Sequence, residues 1–280
     1  MGAHEDKVAV ISGAARGQGR SHALRLAEEG ANIIALDLCR DIDSMDYPNA
    51  TSADLAETAA KIEGMGRWVV AREVDVRDAA AVKVAVDEGV AELGRLDIVI
   101  PQAGIARYTE AGSYAEEAQV WADILGVDIT GYFHLIEASI PHLVAGGHGG
   151  SIVMTGSTAA TRPIGATGGR VAYMAAKHGA VGLMKTYALA LARHWIRVNM
   201  VHPTGVTSGM TLNATVERLA AEAASGEAGP DSWLAQSRNL LDVPIVEPAD
   251  ITEAVMFLVS DRARYVTGEE IKVDAGFSLL

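Results

Sequence analysis

Residues 7–19 read Lys-Val-Ala-Val-Ile-Ser-Gly-Ala-Ala-Arg-Gly-Gln-Gly, and this stretch decides the fold. Its first half, Lys7–Ser12, is a short apolar run without polar alternation, as expected of a strand buried on both faces of a parallel sheet. Its second half sets Gly13, Gly17 and Gly19 where the chain leaves that strand for a helical stretch, Gly19–Glu29. Glycines at such a turn let backbone N–H groups approach a pyrophosphate at the helix N-terminus, where unpaired donors and the helix dipole favour negative charge. A glycine trio alone is a weak signal. The next apolar run, Ala31–Asp37, strengthens it by ending in a carboxylate 24 residues after Gly13, the spacing that sets an acid beside an adenosine ribose. That carboxylate favours NAD, because it accepts hydrogen bonds from both ribose hydroxyls and repels the 2′-phosphate of NADP. Arg16 and Arg40 could pair with such a phosphate, but Arg16 lies inside the glycine loop and more simply serves the pyrophosphate.

Outward from this unit the same rhythm repeats. Further strand-like runs are Trp68–Asp75, Leu96–Pro101, Gly150–Thr155, Arg197–His202 and Glu270–Asp274. Helical stretches alternate with them: Ala53–Met65, Asp78–Leu93, Ser113–Ile124 running on through Gly126–Val144, Tyr173–His194 and Asp250–Val259. No Ser/Pro linker, charge block or repeat interrupts this pattern. The expectation is one doubly wound Rossmann domain of the α/β class over residues 1–280, with about seven parallel strands and helices on both faces. Two segments break the rhythm. Leu38–Ser52 is polar, contains Pro48 and is long for a loop of such a unit, which makes it a cofactor-side insertion. Residues 204–246 follow a strand's C-terminal end, where ligands bind in these sheets, and read as a substrate-side lid. They hold an amphipathic piece (Val216–Ala224), a Gly-Glu-Ala-Gly-Pro-Asp turn at 226–231 and a further helix-like piece.

Composition narrows the function. Lys and Arg number 23 against 36 Asp and Glu, a net charge of −13 that repels phosphate backbones and anionic membranes and argues against nucleic acid or a membrane as partner. The single cysteine, Cys39, cannot close an intrachain disulfide, and the charged start Met-Gly-Ala-His-Glu-Asp-Lys lacks a signal peptide's apolar centre, so a cytoplasmic setting is expected. The longest apolar candidate for a membrane span, Ala180–Ala192, is short and broken by Lys185.

Three further landmarks carry a resemblance: Ser12-Gly13-x-x-x-Gly17-x-Gly19, Tyr173-x-x-x-Lys177 and Val273-Asp274-Ala275-Gly276. Together they resemble the classical short-chain dehydrogenase/reductases along nearly the whole chain. Tyr47-Pro48-x-Ala50-Thr51-x-x-Asp54-Leu55-Ala56, Ile140-Pro141-His142-Leu143 and His202-Pro203-Thr204-Gly205-Val206 are similar to the subgroup related to carveol dehydrogenase, the mycofactocin-associated dehydrogenases. The resemblance implies that Ser157 orients substrate, Tyr173 is the acid/base and Lys177 binds the nicotinamide ribose and acidifies the tyrosine. It implies that Gly13, Arg16, Gly17, Gln18 and Gly19 form the phosphate loop, with Asp37 and Leu38 at the ribose and Asp75 and Val76 at the adenine. It places Gln102, Ala103 and Gly104 beside the cofactor, and Pro203, Val206 and Thr207 in the segment holding the carboxamide. A homotetramer and a mycofactocin redox carrier as partner are further implications.

The residue types agree with this chemistry. Tyr173 and Lys177 are one helical turn apart on one face, so an ammonium there favours the phenolate that takes an alcohol proton. Ser157 can hydrogen-bond the substrate oxygen as charge develops on it. Two departures stand out. Pro101-Gln102-Ala103-Gly104 replaces the family's Asn-Asn-Ala-Gly, and Asp128 stands in Asp128-Ile129-Thr130-Gly131 where the family carries a catalytic-relay Asn. An ionised Asp accepts hydrogen bonds but cannot donate them, and its charge opposes that of Lys177. The expected function is an NAD-dependent oxidoreductase interconverting a secondary alcohol and a ketone, on an apolar cyclic or terpenoid-like skeleton. The alternative is a catalytically impaired NAD-binding sensor or structural paralogue, motivated by Asp128 and Pro101.

Overall fold

A computed structural model describes residues 2–163, 169–225 and 237–280. Seven strands, β1 (Val8–Ser12), β2 (Asn32–Asp37), β3 (Val69–Glu73), β4 (Ile98–Ile100), β5 (Gly150–Thr155), β6 (Ile196–Pro203) and β7 (Glu270–Val273), form one sheet in the order β3-β2-β1-β4-β5-β6-β7. Every pairing is parallel. The strands lie where the apolar runs predict, with ends that differ by one or two residues. The unbroken apolar run Val8–Ile11 in β1 has a direct cause: Val8 and Val10 face one core and Ala9 and Ile11 the other.

Helices cover both faces. α1 (Gly17–Glu28), α2 (Ser52–Gly64) and α8 (Pro248–Val259) close the core around Leu26, Ile33, Ile98 and Val255. α3 (Ala79–Leu93), α4 (Tyr114–Leu125), α5 (Gly131–Gly146) and α6 (Arg170–Leu191) close the other around Ile34, Val99, Ile152 and Val198. None of the helices among the described residues is long and apolar enough to cross a membrane.

The predicted continuity from Ser113 to Val144 holds with one qualification. α4 passes into α5 through a π-helical turn, Gly126–Thr130, which carries Asp128 into full burial. Such turns insert an extra residue and concentrate at functional sites. The turn lies against the β3–α3 loop, and only glycine fits at its end, since a Cβ on Gly131 would meet Val76 at 2.6 Å.

Residues 38–51 are tied down on several sides. Asp46 accepts from the N–H groups of Tyr108 (3.0 Å) and Thr109 (2.7 Å), and the Tyr47 hydroxyl accepts from Ala106 N–H (3.2 Å). Arg16 Nη2 donates to the Pro48 carbonyl (2.8 Å), which joins the segment to the glycine loop. Thr215 Oγ1 donates to the Asp46 carbonyl (2.7 Å), joining it to α7 (Ala214–Ser225), the amphipathic piece expected after β6. The turn at 226–231 and the segment after it to residue 236 lie outside the described residues.

Candidate active site

The strand order reverses between β1 and β4, and at the C-terminal ends of these strands a cleft of about 440 Å³ opens. Its floor is the glycine loop. Gly13 has φ +71°, and a Cβ on it would lie 2.9 Å from the Ala103 Cα; one on Gly19 would strike the Gly13 carbonyl oxygen at 1.9 Å. α1 begins behind Arg16 with no side-chain cap and no acid in its first turn, so its leading N–H groups are offered to a ligand. Gln18 Oε1, beside them, is buried without a hydrogen-bond partner among the described residues. Open N–H donors, a backbone too close for side chains and no competing carboxylate fit a pyrophosphate.

Asp37 ends β2 at the rim, with Oδ2 accepting from Ala15 N–H (2.9 Å) and Oδ1 from Cys39 N–H (3.3 Å). These bonds hold the carboxylate in place and leave each oxygen further acceptor capacity for a ribose. Burial pushes the Asp37 carboxyl up, opposed by those backbone donors. Leu38, Asp75, Val76, Gln102, Ala103 and Gly104 line the same cleft. Burial alone would raise the Asp75 carboxyl, but Arg77, 2.7 Å away, holds it below the usual range. Arg40 sits 3.3 Å from Asp75 and is thereby drawn to a carboxylate. Pro101, lacking an N–H, accepts from Thr155 N–H (3.1 Å) through its carbonyl, and Gln102 accepts the Thr155 hydroxyl, so β4 and β5 tolerate this departure.

The other end of the cleft gathers Ser157, Tyr173 and Lys177 from two elements. Ser157 follows β5 and caps a short 3-10 turn, its hydroxyl accepting from Ala159 N–H (3.1 Å). His202, buried in β6, lies behind it, with Nδ1 2.9 Å from the Ser157 carbonyl oxygen and Nε2 3.0 Å from Glu270. Tyr173 and Lys177 lie on α6, the ammonium 5.5 Å from the centre of the tyrosine ring. Lys177 Nζ donates to the Tyr132 hydroxyl (3.1 Å) and the Thr155 carbonyl (3.1 Å) and pairs with Asp128 Oδ2 at 3.2 Å. Burial would pull this ammonium down, but Tyr132, Asp128 and Tyr173 outweigh it and carry Lys177 above the usual lysine range.

Known proteins share this fold and much of this sequence. A family profile described as Enoyl-(Acyl carrier protein) reductase matches residues 13–278. The (-)-trans-carveol dehydrogenase of Rhodococcus erythropolis is 42% identical over 276 residues, covering 98% of each chain. The chain belongs to the short-chain dehydrogenase/reductase family. A carveol dehydrogenase from Mycobacterium avium, solved in complex with NAD, superposes with a TM-score of 0.89 at 46% identity over 100% of both chains. A short-chain dehydrogenase from Mycobacterium paratuberculosis, bound to NAD, gives 0.90 at 36% identity over 100% of both. This short-chain dehydrogenase/reductase uses NAD and acts on CH–OH groups.

Three of the expected site residues of the dehydrogenase have surroundings that the sequence did not specify. Thr207 stands away from the cleft: its hydroxyl donates to Glu247 (2.9 Å) and its N–H to Val246, while Pro203 and Val206 line the cavity. Asp128 does not line the cleft but lies beneath Lys177, with Oδ1 accepting from Ile105 N–H (2.8 Å). Arg16, expected at the pyrophosphate, lines the cleft but spends one guanidinium nitrogen on Pro48. Sequence reasoning passed over Tyr132, His202 and Arg170. Tyr132 lies four residues after Asp128, and this spacing was a usable signal; His202 sits in a quoted motif, but its contact with Ser157 crosses from β6 to β5.

Cys39 gives a first test of the cofactor end. Burial and the neighbouring Asp37 push its thiol up to about 12. The thiolate is the reactive form, so alkylation of the native protein at pH 7.5 is expected to run at least ~100-fold slower than that of a free thiol and to recover on unfolding. Rapid labelling of folded protein would contradict this.

Proposed function

We propose that this dehydrogenase oxidises a secondary alcohol on an apolar cyclic or terpenoid-like skeleton to the ketone, and catalyses the reverse reduction. The carrying observation is the convergence of Ser157 and Tyr173 on a cavity whose further walls include Ala159, Met210, Val216, Ile245 and Phe277. Bound NAD supplies the hydride acceptor. In this reading Ser157 hydrogen-bonds the substrate oxygen, Tyr173 takes its proton and Lys177 favours the phenolate electrostatically. Lys177 hydrogen-bonds Tyr132 and the Thr155 carbonyl and pairs with the charge of Asp128, which holds the ammonium in place beneath the cleft. Residues 204–246 serve as the substrate-side lid of one domain that spans the chain. A screen of carveol and other cyclic secondary alcohols, with products identified, tests the substrate class; turnover confined to acyclic polar alcohols would overturn it.

The strap formed by residues 38–51 supports a further element of the reading, that NAD stays bound between turnovers. Tyr47 lines the cleft while its hydroxyl is tied to the loop after β4, and Pro48 is tied to the glycine loop. The purified protein is expected to carry NAD through gel filtration and to oxidise about one equivalent of alcohol. It then stalls until an artificial electron acceptor or a carrier of the mycofactocin type is supplied. Cofactor-free protein together with sustained turnover on free NAD would overturn this. The cytoplasm is the compartment proposed for this exchange, and the assembly is a homotetramer. Trp121, Phe133, Val171 and Leu189 leave large apolar surface exposed on α4, α5 and α6, which supports self-association. A monomeric mass at micromolar concentration would refute it.

A further inference from the structure

His202 is wholly buried and does not line the cleft, yet it lies directly behind the serine that does. The turn that leaves β5 is held at two points. Its first residue, Thr155, gives its carbonyl to Lys177 Nζ (3.1 Å) and to the Tyr132 hydroxyl (2.7 Å). Its third, Ser157, meets the His202 ring, whose Nδ1 lies 3.2 Å from the Ser157 amide nitrogen and 2.9 Å from its carbonyl oxygen. One ring atom thus engages Ser157 in either protonation state, accepting the N–H when bare and donating to the carbonyl when protonated. The carbonyl has another donor in Ala160 N–H (2.9 Å), whereas the N–H is directed at the ring. An approach this close needs glycine at position 156, where a Cβ would lie 2.5 Å from Nδ1 and 2.8 Å from the Met200 sulfur.

The ring is braced from its far side. Nε2 lies 3.0 Å from Glu270 on β7, and Glu270 pairs at 2.8 Å with Lys185 of α6. Burial alone would raise the Glu270 carboxyl, but Lys185 and His202 hold it below the usual range, so an ionised acceptor keeps a proton on Nε2. Burial also pulls the ring below the ordinary histidine value, against the opposing pull of Ser157 and Glu270. A neutral ring protonated at Nε2 leaves Nδ1 as the acceptor for Ser157 N–H. The brace bears on chemistry through distance. The Ser157 hydroxyl is carried by the backbone that His202 grips, and a misplacement of about 1 Å in such a group costs about 100-fold in rate.

Resting on the reading that Ser157 hydrogen-bonds the substrate oxygen, we propose that His202, braced by Glu270, is a positioning residue that aims the Ser157 hydroxyl at that oxygen. The test is single-turnover oxidation of carveol by NAD-loaded protein, with hydrogen exchange of the Ser157 amide followed by NMR. His202→Leu is expected to slow the turnover about 10- to 100-fold with NAD affinity unchanged, and His202→Asn, whose amide reaches the place of Nδ1, to recover it to within about threefold. In a Ser157→Ala background, itself slow, adding His202→Leu is expected to cost less than about twofold more, since the two residues act as one unit. Exchange of Ser157 N–H is expected to run about 10-fold faster in His202→Leu and to slow again in His202→Asn. Gly156 N–H, bonded to the Val201 carbonyl (2.8 Å), is the internal control and stays protected. Full-rate His202→Leu, a His202→Asn as slow as His202→Leu, additive losses in the double variant, or release of both amides together would each overturn the proposal. If His202→Leu does not fold, His202→Gln, which keeps a group at Nε2 and none at Nδ1, replaces it in every comparison. Ser157→Ala at the wild-type rate sinks the reading of Ser157 and this role with it, whereas slow Ser157→Ala beside full-rate His202→Leu sinks the role of His202 alone. A wild type inert toward carveol counts against the substrate class, and the amide exchange then decides for or against His202.

Discussion

Replacing Tyr173 by Phe is expected to lower the rate of alcohol oxidation by about 10³-fold, while the fold and the bound NAD stay as they are. The substitution removes one oxygen and keeps the ring that faces the cleft. Hydride departure leaves a carbonyl only if the hydroxyl proton leaves too, and Tyr173 is the acid/base that this reading places there. Ser157 is a poor substitute, because a neutral hydroxyl is a weak base and its oxygen already accepts from Ala159 N–H. Lys177 cannot step in either, since its ammonium is held charged among Tyr132, Asp128 and Thr155. The check is the single-turnover absorbance rise of NADH on mixing loaded protein with substrate. A variant that kept a tenth of the wild-type rate would move the proton to another group. A wild type that turned over no secondary alcohol at all would favour the sensor or structural paralogue.

Asp128 is expected to matter for stability and for pH in separable ways. Asp128→Ala leaves the fully buried Lys177 ammonium without its counter-charge, and loss of one partner of such a pair costs about 3–5 kcal/mol. Asp128→Asn is milder. The carboxylate uses both oxygens, one for Ile105 N–H and one for Lys177, whereas an amide offers a single acceptor, so one donor faces an NH2 group at a cost of about 1–3 kcal/mol. The same change takes the buried cluster from neutral to one net positive charge, which favours the Tyr173 phenolate. The pH optimum of oxidation is therefore expected to move down by about half to one unit, with activity at the optimum unchanged or higher. Denaturant titration measures the first effect and a pH–rate profile the second. A large loss of activity in folded Asp128→Asn would give the carboxylate a role of its own, and an upward shift of the optimum would reverse the electrostatic argument.

The line between what was legible in the chain and what was not follows the range of the interactions involved. The seven strands, their parallel pairing and the place of the cleft came from local signals: unbroken apolar runs, glycines at a strand-to-helix turn, and an acid at the end of the second strand. Each of these is a constraint between residues close in sequence, where side-chain period and turn chemistry suffice. Tyr173 and Lys177 were legible for the same reason, since one helical turn sets their relation. The partners of Lys177 were not. Asp128 read as an opposing charge at an unspecified distance, but the π-turn between Gly126 and Thr130 determines that it meets the lysine directly. Residues 38–52 read as a cofactor-side insertion, and what ties them down rests on Pro48 meeting Arg16, Tyr47 meeting Ala106 and Asp46 meeting Thr215, up to 169 residues away. Thr207 and Arg170 make the same point in opposite directions: the first has the motif and faces out of the cleft, the second has none and lines it. Sequence alone determined which residues can form a strand, a phosphate turn or an acid/base pair, because those properties reside in short stretches of backbone and in residue type. Only the tertiary structure decided which charges face one another, because a contact between distant segments depends on how two packed elements are rotated and offset, and residue spacing carries no term for that.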